Sequence, residues 1–427
     1  MISLAFHGAA QTVTGSKYLL ETGDENVLID AGFFQGRREL RLRNWASPGF
    51  NPADLQQIVL THAHIDHIGY LPRLVKLGFT GKVYATAPTI DLAKVSLIDS
   101  AHIQEEDAEY RNRKNLTRHR VALPLFTTED AEQAIRLLTP APYGQWQDLS
   151  RNLRFRYHIV GHILGAASVE LEATDNDRKV SILFSGDVGR YGNPLSLNPE
   201  PPPETDYLVC ESTYGDRMHP PEDPYTEFEK LINDARKRKA ILLIPAFAIS
   251  RTQQIIYLIN DLIRHRRVKP IHIHVDSPMA VSATDIYQQY HEYHQLSHDE
   301  LSEECLLEGS NVTLHRKRKS SKTLNKLKGP AVIMSSSGMM SGGRIMHHLI
   351  NRLPDPETTL VVAGFMAEGT LGRRLVDGDK IVYIHKQPVD VRAKLVQIQG
   401  LSGHADYHEL LHWLEGIQVP PKRVFVV

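Results

Sequence analysis

The chain has 427 residues, 41% of them hydrophobic and 23% charged, which is the composition of a soluble globular protein too long for one ordinary core. A formal net charge of −1 excludes a global field that would gather polyanions, so any nucleic acid must be held by a local basic surface. Two cysteines, Cys210 and Cys305, with no CxxC, exclude a disulfide framework and a thiolate zinc cluster and suit a reducing cytoplasm.

The first residues, MISLAFHGAAQTVTGS, lack a charged segment followed by an apolar one, so no signal peptide is expected. The longest apolar stretch, AILLIPAFAI (240–249), is too short to span a bilayer. Five segments then share one form, a short β-branched run ending in a polar or Gly-rich turn. They are NVLIDAG (26–32), QQIVLTHAH (56–64), RFRYHIVGHILG (154–165), VSILFSGDVG (180–189) and DYLVCESTYG (206–215). Each reads as a strand feeding a loop, and Asp30, His62, His162, Asp187 and Glu211 fall at those strand ends, where a rigid sheet displays reactive groups.

A Pro-rich segment, NPLSLNPEPPPETD (193–206), reads as a linker. Beyond it, helices about 226–239, 252–267 and 344–352 alternate with strands 240–246 and 270–277 and a strand-turn at 329–338. That alternation predicts a parallel sheet covered by helices. The expected division is 1–209, an α/β inserted domain over 210–375, and a returning segment over 376–427.

Of the 22 histidines, three stand in THAHIDHIGY (61–70) with an aspartate among them. In an extended chain residues 62, 64 and 66 project to one side, so His62 and His64 can grip one ion. Asp66 and His67, being adjacent, diverge toward a second. Imidazole nitrogen and carboxylate oxygen are the ligand types of catalytic zinc, and the spacing is not that of HExxH on a helix. One loop cannot close two sites. His162, between Gly161 and Gly165, and Asp187, flanked by glycines, are the expected further ligands, with Asp30 as the carboxylate that orients a ligating histidine. The bland alternatives are a satisfied core histidine at 162, a turn aspartate at 187 and a strand-end aspartate at 30. Two metals roughly 3.5–4 Å apart suit in-line displacement at phosphorus, but equally thioesters, lactones or β-lactams.

These residues, in this order, resemble the metallo-β-lactamase superfamily. ESTYGDR (211–217), PAFAISRTQ (245–253), DSPMA (276–280), SSSGMMSGGR (335–344) and LSGHADY (401–407) look like its β-CASP branch of nucleases, which includes bacterial and archaeal RNases and the endonuclease subunit of the eukaryotic cleavage-and-polyadenylation machinery. The resemblance spans nearly the whole chain. It implies an αββα sandwich with an inserted α/β domain and an active-site cleft between them. It implies a first zinc on His62, His64, His162 and Asp187, and a second on Asp66, His67 and the bridging Asp187. Catalytic roles fall on Asp66, Asp30, Glu211 and His404, with His404 protonating the leaving 3′ oxygen and Glu211 hydrogen-bonded to it.

Arg251, between Ser250 and Thr252 at an expected helix start, is suited to phosphate. Ser335, Ser336, Ser337 and Gly338, with Gly342, Gly343 and Arg344, form a small-residue turn that lets a nucleic-acid backbone approach, or else a tight turn needing glycine. Ser402 joins the expected substrate contacts through the LSGHADY resemblance. The basic run HRKRKSSKTLNKLK (315–328) reads equally as an RNA contact or a solvated helix face.

The RNA-directed pattern carries one more histidine after the final strand. Here that strand reads KRVFVV (422–427), the position would be 428, and the second ion is expected to be the weaker. The expected activity is zinc-dependent hydrolysis of RNA phosphodiesters by a metal-bound hydroxide, leaving a 5′ phosphate; the sequence does not distinguish endonucleolytic from 5′→3′ exonucleolytic action. Single-stranded RNA is the expected partner, with no membrane and with a homodimer as a further expectation. The rival readings are a small-molecule ester or lactone hydrolase and a catalytically impaired RNA-binding subunit.

Overall fold

The computed structural model describes residues 2–23, 25–114, 120–175, 178–302, 306–307 and 309–427; Cys305 lies outside them. Two compact units divide the chain: Met1–Met218 with His404–Val427, and His219–Gly403.

The first unit holds strands β1 (Ile2–Phe6), β2 (Tyr18–Thr22), β3 (Glu25–Ile29), β4 (Gln57–Val59), β5 (Lys82–Ala85), β6 (Leu138–Pro140), β7 (Gln147–Asp148), β8 (Leu153–Ile159), β9 (Ala167–Asp175), β10 (Arg178–Phe184) and β11 (Tyr207–Cys210). The second holds β12 (Ile241–Pro245), β13 (His272–Val275), β14 (Val312–Leu314), β15 (Ala331–Ser335), β16 (Thr358–Ala363), β17 (Ile381–Ile384), β18 (Gln387–Asp390) and β19 (Lys394–Ile398). The last strand, β20 (Arg423–Val426), returns to the first unit.

In the first unit, one sheet runs β1-β2-β3-β4-β5-β6 and the other β20-β11-β10-β9-β8-β7. Their inner faces share one core, Leu20, Val27, Ile29 and Val59 meeting Phe155, Val169, Leu171, Ile182 and Phe184. The hydroxyl of Tyr157 donates to the carbonyls of Leu60 and Tyr84, tying sheet to sheet across that core. Leu19 and Leu28, which point the other way, are also buried, so β2 and β3 are covered on both faces and read as continuous apolar runs. Helices Leu71–Lys76, Ala87–Arg113 and Thr128–Arg136 belong to the first sheet's side. This is a sandwich of two sheets with outer helices.

The second unit's main sheet is wholly parallel, ordered β14-β13-β15-β12-β16-β19, and β17 and β18 form a separate antiparallel pair. Alternate residues feed opposite cores. Leu242, Ile244 and Val332 pack on helices Pro224–Arg238 and Arg251–Arg264 through Phe228, Ile255 and Ile259. Ile241, Leu243 and Ile333 pack on helix Ile345–Arg352 through Ile345 and Leu349.

The compact units change over at Met218 and His404, beside expected boundaries at 209/210 and 375/376. The Pro-rich 193–206 lies inside the first unit, because β11 after it pairs with β10 and with β20. β19 extends the second unit's sheet by pairing with β16, so that compact unit runs on to Gly403. No helix among the described residues is long and apolar enough to cross a membrane.

Candidate metal centre

All five strand-end residues stand just past their strands: Asp30 after β3, His62 after β4, His162 after β8, Asp187 after β10 and Glu211 after β11. Asp30 (φ 60°) and His162 (φ 64°) have left-handed backbones, a conformation that costs side-chain-bearing residues energy and collects at working sites. Gly189 makes room for the second of them: a Cβ there would lie 1.9 Å from the His162 amide nitrogen.

His62, His64, His162 and Asp187 form one group whose ligand atoms all lie within 4.8 Å of one another. His64 Nδ1 is 3.1 Å from His62 Nε2 and 3.0 Å from His162 Nε2. Asp187 Oδ2 is 3.3 Å from both of those Nε2 atoms. Its other oxygen, Oδ1, lies 3.3 Å from His67 Nε2, so one carboxylate faces two sets of imidazoles. Three nitrogens and one oxygen converging from three strand ends fit a divalent transition metal of the catalytic kind.

The extended segment ends at His64, which caps the helix Ile65–Ile68. Asp66 and His67 therefore leave from a helical turn instead of continuing the alternation. Asp66 joins no group of three or more convergent ligand atoms among the described residues. His67 is held by Asp30, Nδ1 to Oδ2 at 2.7 Å. The turn is locked against 30–33 by backbone bonds from Ala31 N to His67 O and from Phe33 N to Ile65 O, and against residue 16 by Ser16 N to Asp66 O. Gly32 sits in that seam, where a Cβ would lie 1.6 Å from the Asp66 carbonyl. Gly32→Ala is expected to destabilise the fold by about 2 kcal/mol or more and to lower metal content, read by thermal melting and metal analysis.

One residue outside the expected set organises the rest. The Thr61 hydroxyl lies 2.9 Å from Asp30 Oδ2, 3.0 Å from His62 Nδ1 and 3.3 Å from His67 Nδ1, while its amide donates to Asp30 Oδ1 at 2.8 Å. It orients two imidazoles at once, the supporting shell such centres need. Ser16 Oγ, 3.4 Å from His67 Nε2, adds to it.

A second group joins Asp187 to Glu211 and His404. His404 Nδ1 lies 3.3 Å from Glu211 Oε2 and 3.8 Å from Asp187 Oδ2. Glu211 is fixed in turn by the amides of Val188 and Thr213. His404 bridges to Gly189, Ala405 N donates to Val188 O, and the Tyr214 ring stacks on the imidazole at 6.1 Å.

The protein's own groups set the proton inventory. Burial, and then the neighbouring His62, push His64 well below the usual histidine range; burial and His404 do the same to His162. Both offer lone pairs, as ligation requires. Burial works against charge on His67 and His404 as well. Asp187 and Asp30 overcome it at His67, which rises well above the usual range, while Glu211 and Asp187 raise His404 to about 9. Burial pushes Asp66 up; at Asp187 the surrounding imidazoles, His67 foremost, overcome it and hold the carboxyl well below the usual range.

In the second unit, the expected substrate contacts are occupied in part by structural bonds. The Arg344 guanidinium donates to Asp276 Oδ1 and to the carbonyls of His315 and Arg316. Arg251 Nη1 donates to the Ala363 carbonyl. The Ser335 hydroxyl is buried on the Asp276 carbonyl, and Ser337 bonds Ser341 within its own turn. The Ser336 hydroxyl is buried without a partner among the described residues, Gly338 packs close to Phe247, and Ser402 is half-buried. Of the basic run 315–328, residues 318–323 form a short helix with no buried residue.

A two-sheet sandwich that gathers imidazoles and carboxylates at its strand ends defines a metallohydrolase. Comparison with known proteins carries this further. Residues 12–240 match the metallo-beta-lactamase superfamily, 252–375 the Beta-Casp domain, and 388–427 the Zn-dependent metallo-hydrolase RNA specificity domain. Ribonuclease TTHA0252 of Thermus thermophilus is 35% identical over 96% of this chain and 90% of its own. An RNase J-like protein of Methanocaldococcus jannaschii is 30% identical over 99% and 92%. Transcription termination factor FttA of the same organism is 27% identical over all of this chain, which spans 66% of that protein. The crystal structure of a protein of unknown function from Enterococcus faecalis V583 shares the fold, with a TM-score of 0.55 over 100% of this chain and 93% of that one at 12% identity. The chain belongs to the metallo-β-lactamase superfamily, in its β-CASP ribonuclease family.

Proposed function

We propose that this chain is a metal-dependent ribonuclease that hydrolyses phosphodiester bonds in single-stranded RNA. The observation that carries this reading is the convergence of His62, His64, His162 and Asp187, with Glu211–His404 sharing the same aspartate. Its relatives' names, two of them ribonucleases, and the RNA specificity domain support RNA as the substrate. In this reading the ions are zinc. The first would be held by the four convergent ligands and a second by Asp66, His67 and Asp187.

When bound, the metal supplies Lewis acidity that activates water and neutralises charge on the phosphoryl oxygens. The rest falls to the chain's own groups. Asp30 and Thr61 hold His62 and His67 in their ligating orientation. Glu211 fixes the His404 ring, and the two carboxylates beside that ring keep a proton on it, ready for the leaving 3′ oxygen. The buried Cys210, its thiol pushed up to about 12 by burial and then by Glu211, accords with a cytoplasmic enzyme. A homodimer belongs to the same reading and is measured by sedimentation.

The test is cleavage of an end-labelled single-stranded RNA by the zinc-loaded chain beside Asp66→Ala, which is expected to cut at least about a hundredfold more slowly. Equal rates for the two proteins, or cleavage that a chelator leaves untouched, would overturn the reading. Hydrolysis of simple esters that RNA does not inhibit would favour the small-molecule hydrolase instead.

A further inference from the structure

Beneath the loop 30–34, on the first unit, lies a cavity of about 160 Å³ that plays no part in the proposed chemistry. His7, Lys17, Arg43, Phe34, Tyr70 and Pro48 line it, with Ala46 and Ser47. Its lining contains Lys17 and Arg43, a histidine whose pKa burial and then Lys17 lower, and no carboxylate.

Lys17 is the unusual member. It is 2% exposed, and its ammonium donates to the carbonyls of Gly15 at 2.9 Å and Gly32 at 2.6 Å. No carboxylate pairs with it among the described residues. It lies 4.4 Å from the centre of the Phe34 ring and 5.0 Å from that of Tyr70. Two carbonyl dipoles and two ring faces are a partial replacement for water around an ammonium, and a buried charge without a counter-ion is costly. Burial accordingly lowers the Lys17 amine to about 7. The same amine beside an anion would hold its proton firmly. Arg43, exposed and stacked over Phe34 at 5.4 Å, brings a second charge to the wall. Arg43 closes the basic helix Arg38–Arg43, whose sequence RELRLR carries a single acid.

We infer that this cavity is a binding site for a phosphate dianion, its oxygens met by Lys17 and Arg43 with His7 beside them and any ester substituent lying against Phe34, Pro48 and Tyr70. The charge balance selects the ligand: a dianion matches a buried ammonium and a guanidinium, and a planar guanidinium suits phosphate oxygens. The volume admits a phosphate group with part of its substituent. Two sources share this chemistry, free inorganic phosphate and the terminal phosphate of a nucleotide.

The test is calorimetric titration of the full, metal-loaded chain with inorganic phosphate, with a nucleoside 5′-monophosphate and with the nucleoside alone. Phosphate anions also have an affinity for metal ions, so the diagnostic signal is the binding event that responds to the cavity variants. Lys17→Met is expected to abolish that event and Arg43→Met to weaken it by about tenfold, as loss of one charge-assisted contact does. Tighter binding of the nucleotide than of phosphate identifies an RNA end as the occupant; equal binding identifies free phosphate. Nucleoside binding as strong as nucleotide binding overturns the inference, as do isotherms that neither variant changes. Should Lys17→Met melt early, the exposed Arg43→Met decides alone. Arg43 is not among the proposed metal ligands, so Arg43→Met is expected to bind as much metal as the parent, which keeps a loss of this site distinct from a loss of the metal centre.

Discussion

Asp187→Ala is expected to lower RNA cleavage by at least about a thousandfold and to reduce bound metal, because one carboxylate serves every part of the centre. Its Oδ2 stands 3.3 Å from His62 and His162, its Oδ1 3.3 Å from His67, and His404 lies 3.8 Å away. Alanine leaves four imidazoles around a void with no anion to offset a divalent charge. A single histidine-to-alanine change removes one neutral donor; this one removes the charge compensation and the bridge together. Asp187→Asn separates the two effects. The amide keeps the volume and one oxygen, so the fold should survive while metal affinity falls, measured by atomic spectroscopy after dialysis against graded chelator. Retention of full metal and full cleavage in both variants would show that the convergence of these four ligands is structural only.

Much of that centre was legible in the sequence because strand ends have a signature. A β-branched run followed by a polar turn fixes where a side chain emerges, and five such runs deliver Asp30, His62, His162, Asp187 and Glu211. Three-dimensional convergence adds what periodicity cannot. Thr61 passes as an ordinary strand-end threonine, since a hydroxyl has no ligand signature until Asp30, His62 and His67 are seen around it. The departure of Asp66 from an extended path was hidden for a similar reason. HIDHIG has neither a strong cap nor a helical apolar stripe, and its single turn is fixed by tertiary bonds to residues 16 and 31.

The second unit teaches the converse. Its alternation of strands and helices reads directly from the sequence, yet the role of Arg344 does not. An arginine after a serine–glycine turn suggests a phosphate contact, whereas its guanidinium meets the wholly buried Asp276, which also accepts from His348 and Ser321. Leaving Asp276 unpaired would strand a buried charge, and that penalty governs where the arginine goes. DSPMA and SGGR are thus two halves of one structural joint, 68 residues apart. The pairing of β19 with β16 and of β11 with β20 is beyond sequence reading, because no local pattern in a short strand names its partner.

His404→Ala is expected to slow cleavage by about 10²–10⁴-fold while leaving bound metal unchanged, the pairing of results that marks a proton donor and not a ligand. His404 stands outside the four-ligand group, meeting it at Asp187 (3.8 Å) and at the His162 ring (centroids 4.5 Å apart) without being one of its ligands, so its loss should not empty the site. Glu211→Gln should be milder, about 10- to 100-fold, because the backbone bridge to Gly189 and the Tyr214 ring still hold the imidazole, and only the carboxylate that charges it is gone. A substrate whose leaving 3′ oxygen is replaced by sulfur decides the role. A thiolate departs without protonation, so His404→Ala should recover most of its deficit on that substrate, whereas Asp187→Ala should recover little. If His404→Ala is equally impaired on both substrates, His404 acts by holding Asp187 or the RNA in place, and the proton must come from elsewhere.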